Sequence, residues 1–420
     1  MRSSRCYSAI KLFFLFFALF VNEDILVFGT IQNSALQIFR LIVQVVLALF
    51  MLFYVMLNRM PILKVKLEMW GLFCLMILST MLWNRDFRNG YLVLMLTYSE
   101  CLLLTTIFSF EEIYGFFSDM MYLICGASLV GFGIQVFAPH VLEYFPAIRN
   151  IANRNFYFLG ITNVEFKTDN FIRNWGPFRE PGVFQAFIIV ALIYTFFEEN
   201  SSDIKRIVVY ILALLTTFST TGYIALACII FAAILINKSK LSKQKKKMIY
   251  TLLGFCCATF IYMSMFTDLL FKEGYGSVFG KIAAGMNSKS FSARAASISI
   301  NLIMFMQSPF IGKGITYNDE MFTPLALEKY GLLIVDNTNM LFILLARFGL
   351  PFFACFAVRY MRSIKKTYNF GMQVWLLLCA AYFVLMIGEN FSYSILMNLP
   401  LFIFPSDLRR YEGWPGKSRK

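Results

Sequence analysis

The chain has 420 residues, of which 59% are hydrophobic and 15% are charged, and its mean hydropathy is +0.66. A soluble domain has roughly a quarter of its residues charged, so this composition excludes a soluble enzyme, a disordered regulator and a secreted disulfide scaffold. The net charge is +14. In a soluble protein that excess would suggest nucleic acid as a partner, whereas in a membrane protein it indicates which loops are cytoplasmic.

About twelve apolar segments are long enough, or nearly long enough, to cross a bilayer, which takes about 20 helical residues. The first has a basic start and an apolar run from Leu12 to Val21, so a signal peptide is the alternative, but Asn22, Glu23 and Asp24 follow that run instead of the small residues of a cleavage site. We therefore expect an uncleaved helix and one integral membrane domain over residues 1–420. The segments are 10–28, 36–57, 67–83, 91–110, 119–138, 183–197, 207–219, 221–236, 248–266, 336–358, 371–387 and 391–404.

Basic residues lie in alternate loops between these segments. Examples are Arg59 with Lys64, the lysine-rich run 238–247, and Arg359 with Arg362. The positive-inside rule makes these loops, and both termini, cytoplasmic. The lysine-rich run is also open to a lipid-binding or nucleic-acid interpretation, but its place in the alternation favours a topology anchor. We therefore expect no nucleic-acid partner.

The predicted fold is an all-α polytopic membrane protein with about twelve transmembrane helices and both termini in the cytoplasm. Two connections are long, and we name them the first long loop (139–181) and the second long loop (267–335). The alternation places both on the external side. Their aromatic, glycine and ionic residues predict folded segments, with short interfacial or re-entrant helices such as the apolar stretch 298–306.

The first long loop ends in three charged residues, Arg173, Arg179 and Glu180, directly before a predicted span. External arginines oppose the positive-inside bias, and the planar guanidinium matches phosphate oxygens bidentately. The residues therefore predict an anionic ligand. Ion pairing within the loop is the alternative.

The second long loop and the span after it contribute further candidates. Arg294 and Lys313 are basic, but the glycines beside Lys313 lack the spacing of a nucleotide-binding loop. Asp336 is either a functional carboxylate or a helix N-cap. Arg347 lies within a predicted span, where a charge is costly and is usually functional or paired.

Four motifs follow one another between Arg173 and Pro351. Together they resemble the O-antigen polymerase (Wzy) and O-antigen ligase superfamily of bacterial polysaccharide assembly. Before Arg173, the chain resembles this superfamily only in its hydropathy pattern. The motifs are Arg173 with Gly176 to Gly182, Phe218 to Tyr223, Arg294 with Ser308 to Gly314, and Asp336, Asn337 and Asn339 with Gly349.

The resemblance implies a glycosyltransferase that joins undecaprenyl-pyrophosphate-linked oligosaccharides into O-antigen, capsular polysaccharide or exopolysaccharide. The reaction would take place at the outer face of the bacterial inner membrane. Glu180 or Asp336 would accept a proton from the acceptor hydroxyl. The leaving pyrophosphate would be bound by Arg173, Arg179, Arg294, Lys313, Arg347, Asn337 and Asn339.

The carrier already holds the activation energy, and the external loops lack a DxD-type acidic pair. We therefore expect neither a cofactor nor a metal. A chain-length regulator and a flippase are the expected protein partners. An O-antigen ligase is the nearest alternative, but ligases are associated with a histidine in the second loop, whereas His140 begins the first. A lipid-linked-oligosaccharide flippase or other transporter is the second alternative.

Overall fold

The structure is a computed structural model that describes residues 9–30, 34–150, 154–165, 172–197, 203–236, 289–334, 337–368 and 370–404. The predicted span 248–266, the run 238–247 and Asp336 lie outside these residues. The described part is mostly helical. Its α-helices are α1 Ala9–Phe20, α2 Leu26–Gly29, α3 Ser34–Leu57, α4 Lys64–Trp83, α5 Asn89–Ile107, α6 Phe110–Phe137, α7 Pro181–Phe197, α8 Ile204–Thr216, α9 Thr220–Leu235, α10 Lys289–Gln307, α11 Gly314–Tyr330, α12 Met340–Tyr368, α13 Met372–Gly388 and α14 Ile395–Asn398.

Five of the described helices, α3, α4, α5, α6 and α12, are long and apolar enough to cross a membrane. Four more, α1, α7, α9 and α13, are apolar but have only 10–17 residues. A multi-pass, mostly helical membrane protein is therefore confirmed, whereas the count of about twelve spans stays a prediction. Segment 391–404 does not form one helix: α14 has four residues, and a 3-10 helix, Leu399–Phe402, follows it.

The first long loop corrects the all-α prediction, because it contains a small antiparallel sheet. The strands are β1 Ala147–Arg149, β2 Asn155–Phe158 and β3 Asn163–Glu165, with β2 in the centre. Strands of three or four residues are too short to show a two-residue periodicity. The ring of Phe156 packs edge-to-face on Trp175 at 4.8 Å, so the sheet is attached to the segment that carries the predicted arginines.

The described part of the second long loop, from residue 289 onward, contains two full helices, α10 and α11, instead of only short ones. The apolar stretch 298–306 is the C-terminal part of the 19-residue α10. Its apolar side packs on α11 and α12 around Ile300, Met304 and Phe322. Its N-terminal half is rich in serine and alanine, and this composition hid the helix from a search for apolar segments.

Helix α7 lies at the centre of the bundle, because every residue from Pro181 to Phe197 is buried. A helix that is apolar on all sides is expected in such a position. Glu180 directly precedes α7, and its backbone carbonyl accepts the amides of Val183 and Phe184. The end of the first long loop is therefore held at the centre of the protein.

Helix α12 is broken at Gly349, which has φ +80°. The amide of Leu350 leaves the helical ladder and donates to Pro309 at 2.7 Å, while the carbonyl of Ala346 accepts from Lys313 at 3.0 Å. Pro351 has no amide to donate, so the break costs the helix little. The segment 309–313 therefore holds the break open directly beside Arg347.

Gly312→Ala should destabilise the protein and lower activity, because a Cβ at this residue would overlap the Arg347 carbonyl and because its φ is +80°. Gly331→Ala is the matched control, since its φ is +62° but its surroundings are open. A backbone strain of this kind costs about 1–3 kcal/mol. Thermal unfolding should therefore show a larger drop for Gly312→Ala, and equal drops would contradict the clash.

Candidate active site

A cavity of about 280 Å³ brings together charged residues from four separate stretches of the chain. The first long loop gives Arg179 and Glu180, and the α13–α14 connection gives Glu389 and Asn390. Helix α12 gives Arg347. The second long loop and the residues that follow it give Asp319, Phe322, Asn337 and Thr338. Four of the predicted site residues therefore line one cavity: Arg179, Glu180, Asn337 and Arg347.

Arg179 and Glu180 are held in place by a tight turn before them. The Asn174 side chain accepts from the Gly176 amide at 3.1 Å and donates to Thr216 and Ser128 at 2.9 and 3.1 Å. Gly176 has φ +54°, a conformation that favours glycine. The turn therefore fixes the direction in which the chain leaves toward the cavity.

Arg179 connects three segments. Its backbone amide donates to the carbonyl of Asp24 at 2.9 Å, and its guanidinium donates to the carbonyl of Asn390 at 2.6 Å. The same guanidinium lies 4.0 Å from the carboxylate of Asp24. Asp24 is only 1% exposed. Asp24 is thus a buried partner of Arg179.

Arg173 points to the break between α8 and α9. Its Nε donates to the carbonyl of Thr217 at 2.9 Å, and Phe218 beside it has φ +49°. The break between α8 and α9 therefore offers backbone carbonyls to an arginine. Burial lowers the pKa of Arg173, and the nearby charges that act on it most are those of Glu389 and Arg294.

Arg294 is half-buried near the start of α10. Its charge acts on both Arg173 and Glu389, so it lies in the same cluster. In the described part of the chain, Arg173 and Arg294 are not among the residues that line the cavity. They are next to its carboxyl groups and add positive charge beside them.

Arg347 is 5% exposed and is oriented by two side chains of α11. Its Nε donates to the amide oxygen of Asn318 at 3.0 Å, and its NH2 donates to the carboxylate of Asp319. Asn318 in turn belongs to a network of amides with Asn301 and Asn337. Arg347 is therefore paired with Asp319 and also lines the cavity.

Glu389 is the main residue that the sequence analysis missed. It follows α13, is 4% exposed and lines the cavity together with Glu180. Its carboxylate lies so close to the backbone of Gly182 that a Cβ there would overlap it. The signal that could have found it is a glutamate in the short connection between two apolar segments.

Two carboxyl groups in one buried cavity cannot both ionise freely. Burial, and next the charge of Glu180, raise the pKa of Glu389 to about 8, although Arg294, Arg179 and Arg173 oppose the shift. Glu389 therefore holds a proton at neutral pH. The cavity then contains one neutral carboxyl group beside Glu180 and its arginines.

This proton makes stability depend on pH. The pKa of Glu389 is raised from 4.5 to about 8 on folding, so at this residue the unfolded chain binds fewer protons than the folded chain between those values, and the contribution of Glu389 to stability falls as pH rises from 4.5 to 8. Glu389→Gln should flatten that decline in thermal unfolding midpoints. Glu143→Gln, at an exposed site, is the control and should not. Parallel curves for Glu389→Gln and wild type would refute the raised pKa of Glu389.

The remaining predicted residues lie elsewhere. Lys313 lines a different cavity, and its ammonium group lies 5.0 Å from the centre of the Tyr317 ring. Asn339 is buried, and its amide oxygen accepts from the amide of Phe342 at 3.3 Å, so it caps α12. Asp336 lies outside the described residues. Within those residues no group of three His, Cys, Asp or Glu side chains is placed to hold a metal ion.

Residues 207–357 match the family model described as O-antigen ligase. The chain carries an O-antigen ligase family domain. The match confirms the resemblance to the O-antigen polymerase and ligase superfamily. No curated protein matches the chain. The O-antigen ligase domain extends from α8 into α12 and includes Arg294 and Arg347, while Arg179, Glu180 and Glu389 complete the cavity from outside the matched residues.

Proposed function

We propose that the protein is a polysaccharide polymerase that joins undecaprenyl-pyrophosphate-linked oligosaccharide repeat units. The observation that carries this proposal is the cavity in which Arg179 and Arg347 face Glu180 and Glu389. Transfer from a lipid pyrophosphate needs cations for the leaving group and a base for the acceptor, and this cavity contains both. The O-antigen ligase domain supports the glycosyl-transfer chemistry.

The proposed place of reaction is the external face of the bacterial inner membrane. The alternation of basic loops supports this topology, because it leaves the two long loops on the side opposite the lysine-rich run. The product is O-antigen, capsular polysaccharide or exopolysaccharide. A flippase would deliver the lipid-linked units to this face, and a chain-length regulator is the proposed partner that limits the polymer.

In the proposed reaction, the hydroxyl oxygen of the acceptor sugar forms a bond to C1 of the donor sugar. The bond from C1 to the pyrophosphate oxygen breaks, and the pyrophosphate leaves with the electron pair. Arg179 and Arg347 stabilise that negative charge, with Arg173 and Arg294 next to them. The hydroxyl proton passes to the carboxylate of Glu180. Glu389 keeps its proton and limits the negative charge of the cavity.

An O-antigen ligase is the second candidate, because the matched family carries that description. A ligase would transfer the chain to a lipid acceptor of another kind through the same cationic cavity. A flippase is less well supported. It would need its charges along a path through the membrane, whereas the described cavity lies where two long loops meet the ends of α12 and α13.

Reconstitution of the full chain in vesicles with purified lipid-linked repeat units tests the proposal. A polymerase should produce a ladder of lipid-linked chains from these units alone. If a product forms only after lipid A–core is added, the protein is a ligase and not a polymerase. Movement of intact units across the bilayer without new glycosidic bonds would refute both enzymatic assignments.

A further inference from the structure

A second, larger cavity of about 560 Å³ lies where the α4–α5 connection meets the start of α11. Three basic residues, Arg85, Arg88 and Lys313, line it together with Asp86 and Glu320. None of these residues lines the first cavity. Apart from Phe87, the residues that line it carry polar or charged side chains, so apolar packing alone does not explain it.

The positive charge of this cavity is only partly used within the protein. Arg88 pairs with Asp319 and Glu320 at 3.1 and 3.0 Å. For Arg85 and Lys313, by contrast, no carboxylate partner lies within salt-bridge distance among the described residues. Two cations that line a cavity without a counter-ion suit an anionic ligand.

Asp86 is not the counter-ion of Arg85 or Lys313, because its carboxylate already accepts hydrogen bonds from other residues. Its carboxylate accepts from the hydroxyl of Tyr91 and from the amide of Thr316, both at 2.8 Å, and from the Thr316 hydroxyl. Burial opposes the charge, but these donors outweigh it and lower the pKa of Asp86. Asp86 therefore fixes the start of α11, and with it the position of Lys313.

The backbone of the α4–α5 connection is held in an uncommon conformation. Arg85 has φ +50°, although it is not a glycine. The neighbouring Asn84 donates from its amide to the carbonyl of Gly312 at 3.2 Å, so this connection is tied to the residue before Lys313. Strain of this kind persists where the surroundings enforce it and is often found at functional sites. Here it places Arg85 and Lys313 on one cavity.

Large apolar side chains are exposed beside these cations. Phe87, which lines the cavity, is 69% exposed, and Trp83 at the end of α4 is 71% exposed. Aromatic residues next to basic residues are typical of a membrane–water interface. A ligand bound here can therefore combine a phosphate group with a chain that lies in lipid.

The two cavities share one wall. Asp319 accepts from Arg347 of the first cavity through Oδ1 and from Arg88 of the second cavity through Oδ2. One carboxylate thus separates two sets of cations. Two phosphate-bearing lipids in these cavities would lie side by side and would not share the same arginine.

We propose that the second cavity binds the pyrophosphate of the second lipid-linked substrate, with Arg85 and Lys313 as its ligands. This inference rests on the proposed polymerase function, which requires two carrier-linked units at once. The first cavity then holds the pyrophosphate that leaves, and the second holds the pyrophosphate that stays attached to its chain.

The test counts carrier molecules bound to the purified full chain by native mass spectrometry, with undecaprenyl pyrophosphate as the probe. Wild type should bind two, and Arg85→Asn combined with Lys313→Gln should bind one. Asparagine tolerates positive φ, so the variant keeps the backbone. Arg149→Ala combined with Lys64→Ala, at two exposed sites, is the matched control and should bind two.

The other outcomes are also decisive. Two carriers on the double variant would overturn this inference and leave the proposed function intact, whereas no carrier on wild type would count against the proposed function itself. Competition arms with phosphatidylglycerol and inorganic pyrophosphate distinguish the sources of phosphate. Loss of the second carrier to equimolar phosphatidylglycerol would mean a general phospholipid site, and loss to equimolar pyrophosphate would mean a soluble-anion site. Either result would overturn the assignment.

Discussion

Glu180→Gln should lower the rate of polymer formation by about 10²–10⁴-fold, the contribution that is typical of a general base. The amide keeps the size of the side chain but cannot accept the acceptor's proton. Initial rates with reconstituted protein and lipid-linked repeat units measure the effect.

Two comparisons make the Glu180 result decisive. Glu143→Gln changes an exposed glutamate of the same long loop and should retain the wild-type rate. Asp336→Asn tests the other carboxylate that the sequence offered. Full activity of Glu180→Gln together with loss in Asp336→Asn would transfer the role of base to Asp336.

Arg179→Ala should lower the same rate by about 10²–10³-fold, the usual loss when one donor to a developing negative charge is removed. The variant also loses the bond to the Asn390 carbonyl and leaves Asp24 without its cation, so some loss of stability is expected. Arg179→Lys keeps the charge but not the planar fork, and it should recover only part of the rate.

Rates for the Arg179 variants must be compared at equal amounts of folded protein. Arg149→Ala removes an exposed arginine of the same long loop and should behave as wild type. If Arg179→Ala unfolded but Arg179→Lys kept the full rate, Arg179 would be a structural residue. A wild-type rate in folded Arg179→Ala would remove Arg179 from the site.

Part of the site could be predicted because some of its residues place a charge where an unpaired charge is energetically unfavourable, and such positions are visible in the sequence. Arg179, in a loop predicted to be external, and Arg347, within an apolar helix, are both expensive without a partner or a ligand, and both line the cavity. Glu180 was found because it stands next to Arg179. Asn339 caps α12 and is not among the residues that line this cavity, and its role in binding the pyrophosphate stays a prediction.

Other parts of the site depended on contacts between distant segments. Glu389 lies in a short connection with no local signal beyond its charge, and Gly182, about 200 residues earlier, provides the space for its carboxylate. Lys313 was grouped with the other cations because it lies in a glycine-rich motif. That motif instead packs on the break in α12, and Lys313 therefore faces the second cavity.

The sequence by itself determined the class of protein, the long apolar helices and the superfamily, because hydropathy and motif order are properties of continuous stretches of chain. The tertiary structure decided which charges meet. Helix α7 buries the end of the first long loop, the break in α12 binds the segment 309–313, and Asp319 divides two cationic cavities. These outcomes depend on packing between segments, and no local pattern encodes them.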